Sequence, residues 1–198
     1  MVNLPPSLCI ITPVYNEESG LRDYFRRVSE VLLSRTDFTA RVIFVDDGST
    51  DASWAIIEDI CREDPRFGGI RLSRNFGSHV ALSAGIDAAE GDAVCTLACD
   101  LQDPPEVILA FMEKWRQGAQ IVWGKRRTRQ DAAWKIWTSN TFHRQLQRHA
   151  MPKGSMFATG SFLLMDSVVV NAFRRFQEQN RITFALVAWT GFTQAVVE

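Results

Sequence analysis

Four short polar clusters stand out in the sequence, each directly after an apolar run: Thr12-Pro13-Val14-Tyr15-Asn16-Glu17-Glu18, Asp46-Asp47-Gly48-Ser49, Arg74-Asn75-Phe76-Gly77 and Asp100-Leu101-Gln102-Asp103. A carboxylate pair such as Asp46-Asp47 accepts N–H and O–H hydrogen bonds and so can read a base and ribose, while the Arg74 guanidinium can clamp phosphate oxygens. A further carboxylate with an amide, Asp100 with Gln102, could hold a hard divalent cation, Mg2+ or Mn2+, that neutralises a diphosphate. Together these residues describe a nucleotide-diphosphate site. Each cluster alone has a plainer explanation: Asp-Asp-Gly-Ser is also a turn with a helix N-cap, and Asp before Pro104-Pro105 is also a helix start. Their coincidence, four times over, is what favours the site.

Other chemistries fit less well. No G-x-G-x-x-G follows the first apolar run and no G-x-x-x-x-G-K-[ST] occurs anywhere, so a Rossmann dehydrogenase or a P-loop enzyme would lack its glycine cradle. His79, His143 and His149 have no metal-ligand spacing. Cys9, Cys61, Cys95 and Cys99 lie in or beside apolar runs, without zinc-site spacing or disulfide density, and read as buried free thiols in a reducing compartment.

The elements that must position the clusters are legible from periodicity. Nearly continuous apolar runs at Leu8–Thr12, Arg41–Val45, Gly69–Leu72, Ala93–Cys99 and Gln120–Gly124 suit buried parallel strands. Between them lie helical patterns. Leu21, Phe25, Val28 and Leu32 form one stripe; Trp54, Ile57 and Cys61 follow Asp51; a third pattern spans Ser78 to Ala89; a fourth opens at Pro104-Pro105 and carries Val107, Ile108, Phe111 and Trp115. This alternation predicts an α/β fold with a Rossmann-like, mostly parallel central sheet flanked by helices, whose ligand crevice lies at the carboxyl ends of the strands.

After Gly124 the alternation lapses. A basic, helix-compatible stretch leads to a loop at Met151-Pro152-Lys153-Gly154, an apolar run Ser161–Met165 precedes a helix from Val168 to Phe176, and Phe184–Phe192 is strongly apolar. The expected organisation is one domain over 1–198, with the four polar clusters in 1–124; the family that those clusters resemble makes 1–124 a nucleotide-sugar-binding half and 125–198 an acceptor or membrane-proximal half. The strand-like Val196-Val197-Glu198 suggests a natural polypeptide that continues further.

Composition agrees with a single packed core: 198 residues, 46% of them apolar, with six tryptophans. The net charge of −1 conceals a division, because residues 1–124 carry 11 Lys/Arg against 19 Asp/Glu and residues 125–153 carry 8 against 1. The basic stretch interleaves Trp134, Trp137 and Phe142 with Lys135, Arg144 and Arg148. It suits either a surface touching anionic lipid headgroups or a helix packed on the sheet with its basic face in water. A sequence pI of about 6.3 argues against a nucleic-acid-binding module. No apolar stretch reaches the roughly 18 to 20 residues needed to span a bilayer.

The four motifs, with Val45-Asp-Asp-Gly-Ser-Thr-Asp51 and Asp100-Leu-Gln-Asp-Pro-Pro-Glu106 in full, resemble glycosyltransferase family 2, in particular its polyprenyl-phosphate branch, from about residue 8 to the chain end. The resemblance implies a GT-A fold with Pro13, Tyr15, Glu17, Asp46 and Asp47 around the nucleoside, together with Asn16 and Arg74 of the same motifs. It places Asp100 and Gln102 at the metal and Arg126, in Gly124-Lys125-Arg126-Arg127, near phosphate. Relatives of this branch usually continue into a membrane-associated carboxyl-terminal part. Two departures are visible. Many relatives have Asp-x-Asp-Leu-Gln where this sequence has Ala98-Cys99-Asp100-Leu101-Gln102, and one carboxylate fewer predicts weaker cation binding. The branch often has Gly-Asp-Phe-Arg-Leu where this sequence has Gly160-Ser161-Phe162-Leu163-Leu164.

The reaction expected is an inverting in-line displacement at the anomeric carbon of a UDP- or GDP-hexose, with the cation stabilising the leaving nucleotide diphosphate. A phosphate monoester acceptor, largely ionised at neutral pH, needs little help from a base, so Ser161 is compatible with a polyprenyl phosphate neutralised by Lys125, Arg126, Arg127 and Arg129. That acceptor would place the protein at the cytoplasmic membrane face. A glycan hydroxyl acceptor is the alternative, with Asp103 as the nearest base, and a catalytically silent nucleotide-binding domain is the reading from another class. Donor sugar, base and oligomeric state stay open.

Overall fold

Residues 4–125, 162–178 and 182–198 are described in the computed structural model of the chain. Seven strands form one sheet in the order β3-β2-β1-β4-β6-β5-β7. The strands are β1 (Ser7–Val14), β2 (Thr39–Asp46), β3 (Phe67–Arg71), β4 (Ala93–Thr96), β5 (Ile121–Gly124), β6 (Leu163–Asp166) and β7 (Gln194–Val197). The helices are α1 (Leu21–Val28), α2 (Ser53–Glu63), α3 (Ser78–Ala88), α4 (Val107–Arg116), α5 (Ser167–Phe173) and α6 (Thr183–Trp189).

Strand alternation splits the core in two. Leu8, Ile10 and Val14 of β1 face α1, α2 and α4, in a cluster with Leu21, Tyr24, Ile57, Ile60, Ile108 and Phe111. Cys9 and Ile11 face the other way, toward Ala81, Leu82 and Ile86 of α3 and the apolar residues of α5 and α6. Both faces of the sheet are therefore covered, which explains why the strands read as unbroken apolar runs. Each fully buried aliphatic side chain contributes about 1.5–3 kcal/mol, so the central strands anchor the fold. Helix α3 packs tightly on the sheet at Gly85, where a Cβ would lie 2.3 Å from Ile11 Cγ2.

Strand directions decide where the polar clusters go. β1 pairs in parallel with β2 from Ser7↔Thr39 to Val14↔Asp46 and with β4 from Leu8↔Ala93 to Ile11↔Thr96. β2 pairs in parallel with β3, ending at Asp46↔Arg71. The carboxyl ends of β1 to β4 thus share one edge. β6 is antiparallel to both of its neighbours, with Leu164 opposite Cys95 and Val122, so Gly124 at the end of β5 and Leu163 at the start of β6 reach that same edge.

Two elements differ from the sequence expectation. β4 ends at Thr96 rather than Cys99: the Leu97 amide still donates to the Ile11 carbonyl (3.0 Å), but the ladder goes no further, although Leu97 and Cys99 are buried in the core. Apolarity reports burial, and here burial outlasts pairing. Beyond α1 the chain makes a π-helical turn at Ser29–Leu33, and that wider turn leaves Leu32 and Leu33 both buried. The apolar run 184–192 is mostly helix α6, and β5 is separated from β4 by β6. No cysteine is bonded; Cys9, Cys95 and Cys99 are buried, as expected, whereas Cys61 is half-buried. Among the described residues, no helix is long and apolar enough to cross a membrane.

Candidate functional site

Two loops at the shared edge are laced together. The Asn16 and Glu17 amides donate to Ser49 Oγ (2.9 Å) and Ser53 Oγ (2.8 Å). In return the Thr50 amide donates to Asn16 Oδ1 (2.8 Å) and the Ala52 amide to Glu18 Oε2 (2.8 Å). Asn16 sits at φ 55, a conformation that asparagine tolerates better than most residues. Its side chain is spent on the loop. Asp51 lies in the same network; burial raises its pKa, but hydrogen bonds from Ser53 and the Glu18 amide outweigh that and hold it below the ordinary carboxylate range. The Tyr15 ring, 46% exposed, and the Glu17 carboxyl group stand at the edge of this lacing.

Asp46 and Asp47 are adjacent, buried and differently engaged. Asp46 Oδ1 accepts from the Ser49 amide (3.2 Å), whereas Oδ2 has Arg71 Nε at 3.2 Å without hydrogen-bond alignment, so that buried oxygen lacks a directed donor. Arg71 is half-exposed and also lies over the Trp54 ring, 5.5 Å from its centroid. Both Asp47 oxygens accept backbone bonds, from the Phe76 and Gly77 amides at 2.8 Å each. Those amides belong to the loop that carries Arg74, whose guanidinium stacks 4.0 Å from the Phe76 ring centroid.

The fourth cluster closes the edge. The backbone turns at Leu101, which holds φ 54 while its side chain packs against the core. A left-handed leucine costs roughly 1–3 kcal/mol. On either side of it, Asp100 Oδ1 accepts from the Gln102 amide (3.1 Å). Asp100 is exposed and Asp103 is buried. Burial, followed by the negative charges of Asp100 and then Asp51, raises the Glu17 pKa. Burial likewise pushes the neighbouring Cys99 thiol up to about 12, with Glu17 and Asp100 adding to it. Mutually repelling carboxylates at a strand end suit a cation. Among the described residues no group of three or more His, Cys, Asp or Glu side chains forms a metal cage. A Mg2+ ion, which often takes one or two carboxylates and completes its shell with phosphate and water, fits this donor set.

Tyr15, Asn16, Glu17, Asp46, Asp47, Arg74, Asp100, Gln102 and Asp103 all belong to loops or strand termini at the shared edge, and Pro13 lies one residue from the end of β1, where its carbonyl accepts from the Cys99 thiol (3.7 Å). Lys125 follows β5 at the same edge, ion-paired to Glu198 at 3.7 Å. Arg126, Arg127, Arg129 and Ser161 lie outside the described residues, as does the basic aromatic stretch. Sequence reasoning missed Arg71 as the partner of Asp46, Phe76 as the platform of Arg74, and Ser49 and Ser53 as the loop's acceptors. Ser49 was visible inside its motif, whereas Ser53 lies two residues beyond it and Arg71 stood inside an expected strand, neither with a signal of its own.

The family model for Glycosyl transferase family 2 matches residues 9–174. An uncharacterized glycosyltransferase of Synechocystis sp. is 42% identical over 191 residues, covering 96% of this chain and 59% of that protein. A bactoprenol glucosyl transferase of Shigella phage SfV is 35% identical over 192 residues, covering 96% of this chain and 62% of that protein. This chain thus spans about three-fifths of the length of these relatives. Among solved structures, a mannosyltransferase from Pyrobaculum calidifontis in complex with GDP-Man and Mn2+ superposes with a TM-score of 0.67 at 18% identity, over 98% of this chain and 55% of that one. The motifs, the sheet that gathers them at one edge and the match over most of the sequence agree: the chain belongs to glycosyltransferase family 2.

Proposed function

We propose that the chain is the catalytic domain of an inverting hexosyltransferase, which takes the sugar from a UDP- or GDP-sugar and transfers it to a polyprenyl phosphate at the cytoplasmic face of a membrane. The observation that carries this reading is the gathering of Glu17, Asp46, Asp47, Arg74 and Asp100 at the carboxyl edge of a parallel sheet, with Glu17 and Asp100 repelling one another. The acceptor class follows from the Shigella phage relative, named as a bactoprenol glucosyl transferase.

Asp100, with Gln102 beside it, would hold Mg2+ or Mn2+; when bound, the ion offsets the charge that develops on the departing diphosphate. The chain's own residues do the rest. Tyr15 and Pro13 flank the nucleoside, and buried Asp46 shapes the floor beneath them through the Ser49 amide and Arg71. Arg74 neutralises a donor phosphate. Lys125, Arg126, Arg127 and Ser161 are assigned to the acceptor phosphate, whose own charge spares the reaction a strong base. Asp103, at 7% exposure, is poorly placed to take a proton from a glycan hydroxyl.

The test is transfer of labelled UDP-glucose, UDP-N-acetylglucosamine or GDP-mannose to undecaprenyl or dolichyl phosphate, with and without EDTA, and assignment of the product's anomeric configuration by NMR. EDTA-sensitive label in the lipid fraction, with inverted configuration, is expected. Label reaching glycan hydroxyls but not the lipid phosphate sinks the acceptor assignment, and retention sinks the single displacement.

A further inference from the structure

We propose that Asp47 is a positioning residue: it holds the loop 74–77 so that Arg74 faces the donor diphosphate, and it does not itself read the nucleoside. The proposal rests on the nucleotide-sugar reading of the site and concerns Asp47 alone of the Asp46-Asp47 pair.

The Asp47 carboxylate is 3% exposed. Its two oxygens each receive one backbone N–H at 2.8 Å, from the consecutive residues Phe76 and Gly77. Bonds to an ionised acceptor are the strong kind, and two from adjacent amides fix both the position and the tilt of a peptide segment. Gly77 is at φ 95, a conformation that glycine alone adopts readily, so the loop meets the carboxylate through a turn that the sequence permits. From the other side Gly48, next in sequence to Asp47, lies against the loop's backbone: a Cβ there would be 2.4 Å from the Arg74 carbonyl carbon and 2.8 Å from the Asn75 nitrogen. The loop is therefore pinned at both ends by consecutive residues of the Asp-Asp-Gly turn.

What the pinned loop carries is a cation. Arg74 stacks 4.0 Å from the Phe76 ring centroid and donates from Nη1 to the Asn75 carbonyl at 3.3 Å, so the guanidinium rests on the same residue whose amide Asp47 holds. Arg74 is exposed and Phe76 is 42% exposed, which leaves the cation open to a ligand. Asp46 contrasts with Asp47, because its Oδ2 has no directed donor. Of the two acids, Asp47 is the one that accepts the loop's amides, while Asp46 Oδ2 faces Arg71.

The test compares calorimetric affinities for a nucleoside (uridine or guanosine) and for the matching nucleoside diphosphate with Mg2+, in wild type, Asp47→Asn, Arg74→Ala and the double variant. Hydrogen exchange of the Phe76 and Gly77 amides is followed without ligand. Asp47→Asn should weaken diphosphate binding by roughly tenfold to a hundredfold, the loss expected of a charge-assisted hydrogen bond, with nucleoside binding changed less than about twofold. Adding Asp47→Asn to Arg74→Ala should cost little more, as expected for residues acting as a unit. The two amides should exchange faster. Phe76→Ala, at an exposed side chain that leaves the core intact, should give the same selective loss and keeps the test available if Asp47→Asn does not fold. Equal loss of nucleoside and diphosphate, additive losses, unchanged exchange, or a silent Phe76→Ala overturns the proposal. If wild type binds neither ligand, the nucleotide-sugar reading fails and takes the Arg74 role with it, while the exchange comparison still decides whether Asp47 is a clamp.

Discussion

Gly48 and Arg74 meet backbone to backbone: a Cβ on Gly48 would lie 2.6 Å from the Arg74 Cα, and Gly48 itself is at φ 70. Gly48→Ala therefore combines left-handed strain of about 1–2 kcal/mol with a contact that the backbone cannot relieve by rotating a side chain. We expect a loss of stability of more than about 2 kcal/mol together with loss of donor binding. Gly118, at φ 99 with nothing within 4 Å of its Cβ position, is the matched control. Gly118→Ala should cost only the strain, measured by urea unfolding, and leave donor affinity unchanged.

Gly85 makes the complementary case inside the core. A Cβ there would meet Ile11 Cγ2 at 2.3 Å and Val45 Cγ2 at 3.2 Å, both on buried, β-branched side chains of central strands. Such side chains have few rotamers in which to give way. Gly85→Val should destabilise the fold by about 3 kcal/mol, the upper part of the range for overpacking, read as a lower midpoint with an unchanged slope in denaturant.

Much of the fold was legible because the central strands are buried on both faces. Leu8 to Thr12 and Arg41 to Val45 announce themselves as apolar runs, and their parallel pairing sends the polar residues after them to one edge. The direction and place of β6 were not legible: Leu163-Leu164-Met165 is equally apolar either way round, and its pairing depends on contacts with β4 and β5 far away in sequence. At the site, residue type gave membership but not aim. Asp46, Asp47 and Asn16 were all plausible ligand contacts by chemistry, yet Asn16 Oδ1 is taken up by Thr50 and Asp47 by the Phe76 and Gly77 amides. Which oxygen faces a backbone amide and which faces a ligand depends on backbone geometry that spacing alone does not encode.

Asp37 supplies the pH dependence. Hydrogen bonding from Arg35, then from Arg116, lowers its pKa to about 2 despite some burial. A depressed carboxylate stabilises the fold above its unfolded pKa of about 3.9, and the contribution is lost as pH falls through about 2. The side chain is 37% exposed, so screening keeps the effect below about 1 kcal/mol. Asp37→Asn should lower stability at pH 7 by up to about 1 kcal/mol and flatten the decline between about pH 4 and pH 2, so that variant and wild type converge at the acid end, measured by thermal unfolding from pH 7 to pH 2.

The central claim is that the strand-end cluster binds a nucleotide-diphosphate sugar through a cation held at Asp100. Calorimetric titration with UDP-glucose, UDP-N-acetylglucosamine and GDP-mannose, each with Mg2+, Mn2+ or EDTA, tests it most directly. Binding of one donor that disappears in EDTA and in Asp100→Ala is the predicted result, and it also names the sugar. Donor binding that is equally tight in EDTA, or that survives Asp100→Ala unchanged, contradicts the claim.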